Sequence, residues 1–68
     1  MSMKIETNLI AKTMSRFHLE TIFWWAANMD LDDTKRLSTK TMQRVLERNL
    51  DDGTWDMDLV YNALRGGE

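Results

Sequence analysis

The single histidine, His18, is the first residue to weigh for chemistry, because imidazole is the side chain whose ordinary pKa suits proton transfer near neutrality. A general base also needs a positioned partner and a cleft. At helical spacing His18 falls beside Met14, Ile22 and Trp25, while the nearest acid, Glu20, points to another face of the same helix. A structural histidine is the expectation. The aspartates raise calcium next. An EF-hand loop places acidic or amide ligands at positions 1, 3 and 5, glycine at 6 and glutamate at 12. Counted from Asp30, position 5 is Thr34, position 6 Lys35 and position 12 Thr41; counted from Asp51, position 6 is Asp56 and position 12 Asn62. Both loops fail, so caps and solvated turns account for these acids. There is no cysteine, which excludes thiolate zinc sites and disulfides. No nucleophile elbow, Walker loop or dinucleotide fingerprint is present, and Gly66-Gly67 precedes no helical pattern. The expectation is a non-catalytic protein with no metal and no cofactor.

One spacing does point to a ligand. Arg36, Lys40, Arg44 and Arg48 recur every four residues, so on a helix they form a stripe, with Gln43 at its edge. Such a stripe is the electrostatic footprint of phosphate contact. The segment 37–46, LSTKTMQRVL, also resembles the recognition helix of helix-turn-helix proteins: Ser38 at the turn, the Thr41-Met42 pair, Arg44, then Leu46. The resemblance implies a DNA-binding regulator that uses the basic helix 38–48. It covers about ten residues. The preceding half departs from the pattern, with Asp32 where a small residue belongs and Arg36 where the turn glycine belongs. Asp30, Asp32 and Asp33 would repel phosphate, so nucleic acid ranks second among the expected partners.

The elements that must position these residues read as helices. No proline occurs, no stretch alternates apolar with polar, and valine and isoleucine are scarce. A first helix is expected over 8–29, capped by Thr7 or Asn8. Ile10, Met14, Phe17, Thr21, Trp24, Trp25 and Asn28 form its expected packed face, and Leu19 with Phe23 a second apolar side. Adjacent Trp24 and Trp25 point about 100° apart, so one face cannot hide both. A partner or dimer interface made of Leu19, Phe23, Trp24 and Ala27 follows, with Trp25 inside against Trp55. A second helix is expected over 36–50, with Met42, Val45, Leu46, Asn49 and Leu50 inward. A third is expected over 54–65, capped by Thr54, with Trp55, Leu59, Val60, Ala63 and Leu64 inward.

The predicted fold is therefore all-α: one small domain over 1–68, with a long N-terminal helix packed against a short helical hairpin, forming a dimer. Sixty-eight residues leave room for one core and bury only about 60% of the unfolded surface, which favours oligomerisation where disulfides and metals are lacking. The net charge of −2 divides into an acidic turn at 30–33, a basic block at 35–48 and an acidic tail. The N-terminal residues lack a signal-peptide core and no run reaches the roughly 20 apolar residues of a membrane span, so a cytoplasmic location without membrane contact is expected. The functional expectation is a helical protein-interaction or regulatory module, of the kind phages and mobile elements use as accessory proteins. It would bind its own second copy and another protein.

Overall fold

The computed structural model describes residues 9–66, which form five helical segments and no strand. The expected caps Thr7 and Asn8 lie outside the described residues. Residues 9–13 (α1) are helical, and the chain leaves the helix at Met14 and Ser15. Ser15 is the reason. Its backbone is extended (φ −72°, ψ 155°) and its hydroxyl accepts the His18 amide at 3.3 Å, so it caps a new helix instead of continuing the old one. The single long helix expected over 8–29 is thus two helices. The second, α2 (Arg16–Ala27), ends where Asn28 turns left-handed at φ 55° and the amides of Asn28 and Met29 return to the Phe23 carbonyl.

The aspartate-rich turn contains a helical turn of its own, α3 (Leu31–Thr34). A reciprocal capping box makes it: Asp30 accepts from the Asp33 amide at 2.9 Å, and Asp33 accepts from the Asp30 amide at 3.2 Å. Helix α4 (Thr39–Asp51) starts from Ser38, whose hydroxyl accepts the Thr41 amide at 3.1 Å. Gly53, at φ 80°, takes the left-handed position after it. Helix α5 (Met57–Leu64) is capped by Asp56, not by Thr54, and so begins later than the sequence pattern suggests. Thr54 instead donates its amide to Asp52 at 2.9 Å, and the Trp55 amide bonds the Asn49 carbonyl at 3.0 Å, folding this turn back over the end of α4.

Helix α2 is the element against which α3, α4 and α5 all pack. Its buried residues are Leu19, Ile22 and Phe23, joined by Ala11 and Met14, by Met42 and Leu46 of α4, and by Val60 and Ala63 of α5. The inner face of α2 is therefore the opposite of the one expected. Leu19 and Phe23 are 0% and 1% exposed, and the Phe23 ring, not that of Trp25, meets Trp55 edge to face with centroids 5.5 Å apart. The physical reason lies in stripe purity. Leu19, Ile22, Phe23 and Ala26 recur at i, i+3, i+4 and i+7 with no polar member, whereas the rival stripe must bury Thr21 and Asn28. On α4 and α5 the expected inner faces hold, except that Leu64 is exposed.

Arg16 fixes α2 against the α3–α4 turn. Its guanidinium donates to the Thr34 carbonyl at 2.7 Å, the Leu37 carbonyl at 2.9 Å, the Thr39 hydroxyl at 3.0 Å and Glu20 at 3.2 Å. The Thr34 carbonyl, which also accepts the Leu37 amide at 3.0 Å, and the Leu37 carbonyl are thereby tied to α2.

Candidate functional site

The surface feature that this fold leaves over is the outward side of α2. At 100° per residue, Phe17, Trp24 and Asn28 fall within about 40° of one another and roughly opposite the Leu19–Ile22–Phe23 stripe. Packing the purer stripe inward forces this row outward. Phe17 is 67% and Trp24 58% exposed, and Leu31 on α3 is also exposed. With Glu20, Thr21 and Met29 they line an open recess of about 290 Å³. The row carries no charge. The two charged residues of α2, Arg16 and Glu20, are paired with each other at 3.2 Å.

Of the four residues expected at a partner interface, the structure therefore removes two and keeps two outside. Leu19 and Phe23 are core residues and present no surface, while Trp24 and Ala27 are exposed. Phe17, Met29 and Leu31 were missed. Phe17 carried a readable signal, since it stands seven residues before Trp24 and so shares its face. Leu31 had none, because it joins the row only through the capped turn of α3.

Lys40, Arg44 and Arg48 lie outward along α4 as expected, but Arg36 falls in the turn before the Ser38 cap and so is not on the helical stripe. Arg36, Lys40, Arg44 and Arg48 are all exposed, and none has an ion-pair partner among the described residues. At the edge of the stripe, the Gln43 amide nitrogen donates to the Met14 carbonyl at 3.0 Å, which ties α4 to the α1–α2 break. Lys12 of α1 joins the stripe, lining one recess with Lys40, Gln43, Arg44 and Glu47. The stripe is not uniform. Arg44 and Arg48 share a recess with Glu47, Asp51 and Asp52, so the C-terminal end of α4 is locally balanced. There Asp52 is held below its ordinary carboxylate range by hydrogen bonds from the Thr54 hydroxyl and amide and by nearby Arg48.

His18 sits at the helix start as a capping accessory. Its Nδ1 lies 2.9 Å from the Ser15 hydroxyl, and its ring meets Phe17 edge-on at 5.5 Å. Its surroundings are Ile10, Thr13, Met14, Ser15 and Leu64, with no acid among them. Among the described residues no three metal-capable side chains come together, and no helix is long and apolar enough to cross a membrane. Compared with protein-family models, curated proteins and solved structures, the chain matches none.

Proposed function

We propose that this protein is a non-catalytic, cytoplasmic helical interaction module that acts in regulation by binding protein through the outward row of α2. The observation that carries the reading is the pair Phe17 and Trp24, large aromatics more than half exposed on a helix face with no uncompensated charge. Aromatics of this kind supply interface area at low entropy cost, and a contiguous exposed patch marks an interaction site. The test compares the native chain with a Phe17→Ser, Trp24→Ser double variant in a quantitative binding screen, with circular dichroism to show that the fold persists. Partners lost in the double variant support the reading. A screen in which no association, self-association included, depends on these two residues refutes it.

The basic stripe supports a second reading, a DNA-binding regulator. Arg36, Lys40, Arg44 and Arg48 are all exposed, and phosphate contact by four such cations predicts a log–log salt slope of about −3 to −4 on duplex DNA. Fluorescence anisotropy with a generic duplex measures it directly. No binding at low salt removes this reading.

A further inference from the structure

We infer that the Asp52–Gly53 peptide is a latent self-modification site, at which the chain converts its own aspartate to isoaspartate, and that Thr54 holds the reaction off in the folded protein. The chemistry needs an aspartate followed by a residue with little or no side chain. A Cβ on the second residue crowds the approach of its amide nitrogen to the carboxyl carbon, and glycine has none. Of the aspartates and asparagines in the chain, Asp52 alone precedes glycine. The site is also open. Asp52 is exposed, and nothing lies within 4 Å of where a Gly53 Cβ would stand.

The steps balance with water as the sole co-reactant. The Gly53 nitrogen gives up its proton and bonds to the Asp52 Cγ, while one carboxyl oxygen leaves as water. Water then adds to one of the two carbonyls of the cyclic imide. Opening at Cγ restores aspartate. Opening at the Asp52 carbonyl carbon breaks its bond to the Gly53 nitrogen, and the chain then runs through Cβ and Cγ, one atom longer, with the carboxylate on Cα. No atom is gained or lost overall.

The folded turn keeps the reacting atoms apart. Asp52 sits at φ −91°, ψ 2°, so the Gly53 nitrogen eclipses the nitrogen of Asp52 itself. At a tetrahedral Cα the Asp52 Cβ lies about 120° away around the Cα–C bond, and ring closure needs the Gly53 nitrogen to eclipse that Cβ instead. A rotation of that size breaks the turn. The Gly53 amide bonds the Leu50 carbonyl at 3.4 Å, the Thr54 amide bonds Asp52 Oδ1 at 2.9 Å, and the Trp55 amide bonds the Asn49 carbonyl at 3.0 Å. The Thr54 hydroxyl bonds the same carboxylate and favours its ionised form, a poor electrophile whose oxygen cannot leave as water until it is protonated. The modification matters to the fold because this turn seats Trp55 against Phe23, and α5 follows it onto α2. An extra backbone atom at residue 52 unseats both.

The full chain is incubated at neutral pH, folded and in urea. Isoaspartate is then located by digestion with an aspartate-specific protease, which does not cut before isoaspartate, and by mass spectrometry, where the imide appears lighter by one water. In urea, residue 52 is expected to isomerise before any other position. The folded chain is expected to react about tenfold or more slowly, since the three backbone amide bonds of the turn must open together. Thr54→Ala, which loses the hydroxyl bond, is expected to raise the folded-state rate about two- to tenfold, whereas Thr54→Ser keeps the hydroxyl and the native rate. Asp52→Glu keeps a carboxylate but needs a ring one atom larger, and is expected to stay unmodified. A folded chain that isomerises as fast as the unfolded one overturns the inference. So does isoaspartate arising first at another residue, or a folded-state rate that is the same in the native chain, Thr54→Ala and Thr54→Ser.

Discussion

Replacing Arg16 with methionine keeps most of the side chain's length and removes its donors, which isolates what the guanidinium contributes. The native group bonds the Thr34 and Leu37 carbonyls and the Thr39 hydroxyl, and its side chain is 34% exposed. A hydrogen bond from a charged donor contributes about 1.5–3 kcal/mol when shielded, and partial exposure lets water replace some of that. Counting the two carbonyls at the lower end gives about 2–4 kcal/mol. The Glu20 pair adds less than about 1 kcal/mol, because both partners reach solvent. A small domain has only a few kcal/mol of stability in total, and each kcal/mol moves Tm by about 4–8 °C at this size. Arg16→Met should therefore lower Tm by about 10–25 °C, and Glu20→Gln by only a few degrees, in thermal and urea unfolding followed by circular dichroism at pH 7. Arg16→Lys should recover only part of the loss, since a point charge cannot bond the same fork of acceptors. If Arg16→Met unfolds within about 3 °C of the native chain, Arg16 does not hold the α3–α4 turn and this account fails.

Phe23→Ala should cost about 3–5 kcal/mol in urea unfolding, and Trp25→Ala, at a site 40% exposed, distinctly less; the reverse order would put the core on the other side of α2. Gly53→Ala should cost about 1 kcal/mol although nothing lies within 4 Å of the added Cβ, because the penalty comes from φ 80° alone; an unchanged melting temperature would contradict it. The Asp52 carboxyl is held below its ordinary value of 3.8, so its charged form favours the folded state. Its contribution is complete above that value and disappears as pH falls through the folded one. The stability gap between the native chain and Asp52→Asn, a small one at so exposed a site, should be flat from pH 5 to 7 and close in acid. A gap that widens on acidification would reverse the sign.

The all-helical class was legible because periodicity and the absence of strand patterns are averages over many residues. The faces of α4 and α5 were legible for the same reason: Met42, Leu46, Val60 and Ala63 leave no competing stripe. On α2 two stripes compete, and only the requirement that Thr21 and Asn28 stay out of the core separates them. The break at Ser15 was illegible from periodicity, because Met14 and Phe17 continue an apolar spacing across it, and a serine hydroxyl bonds a helix backbone inside or at its start. Asp56 over Thr54 as the cap of α5 is a choice between two good capping residues, settled by the Trp55 amide reaching Asn49. The exposed cations of α4 could be named in advance because Lys40, Arg44 and Arg48 lie opposite its inner stripe of Met42, Leu46 and Asn49. Arg16 could not, since its acceptors lie on carbonyls 18 and 21 residues away.

That α3, α4 and α5 each pack on α2 also bears on the order of assembly. The connections between neighbouring elements are short, but α2 pairs most extensively with α5, which lies about 40 residues further along the chain, so the last helix can dock only after that long segment closes. Every one of those pairings needs the α2 backbone in place, so the rate-limiting nucleus must include it. Truncating Leu19 or Ile22 should then slow refolding in proportion to the stability lost, whereas truncating Val60 on α5 should chiefly speed unfolding. Helix α2 is the template on which the rest of the chain condenses.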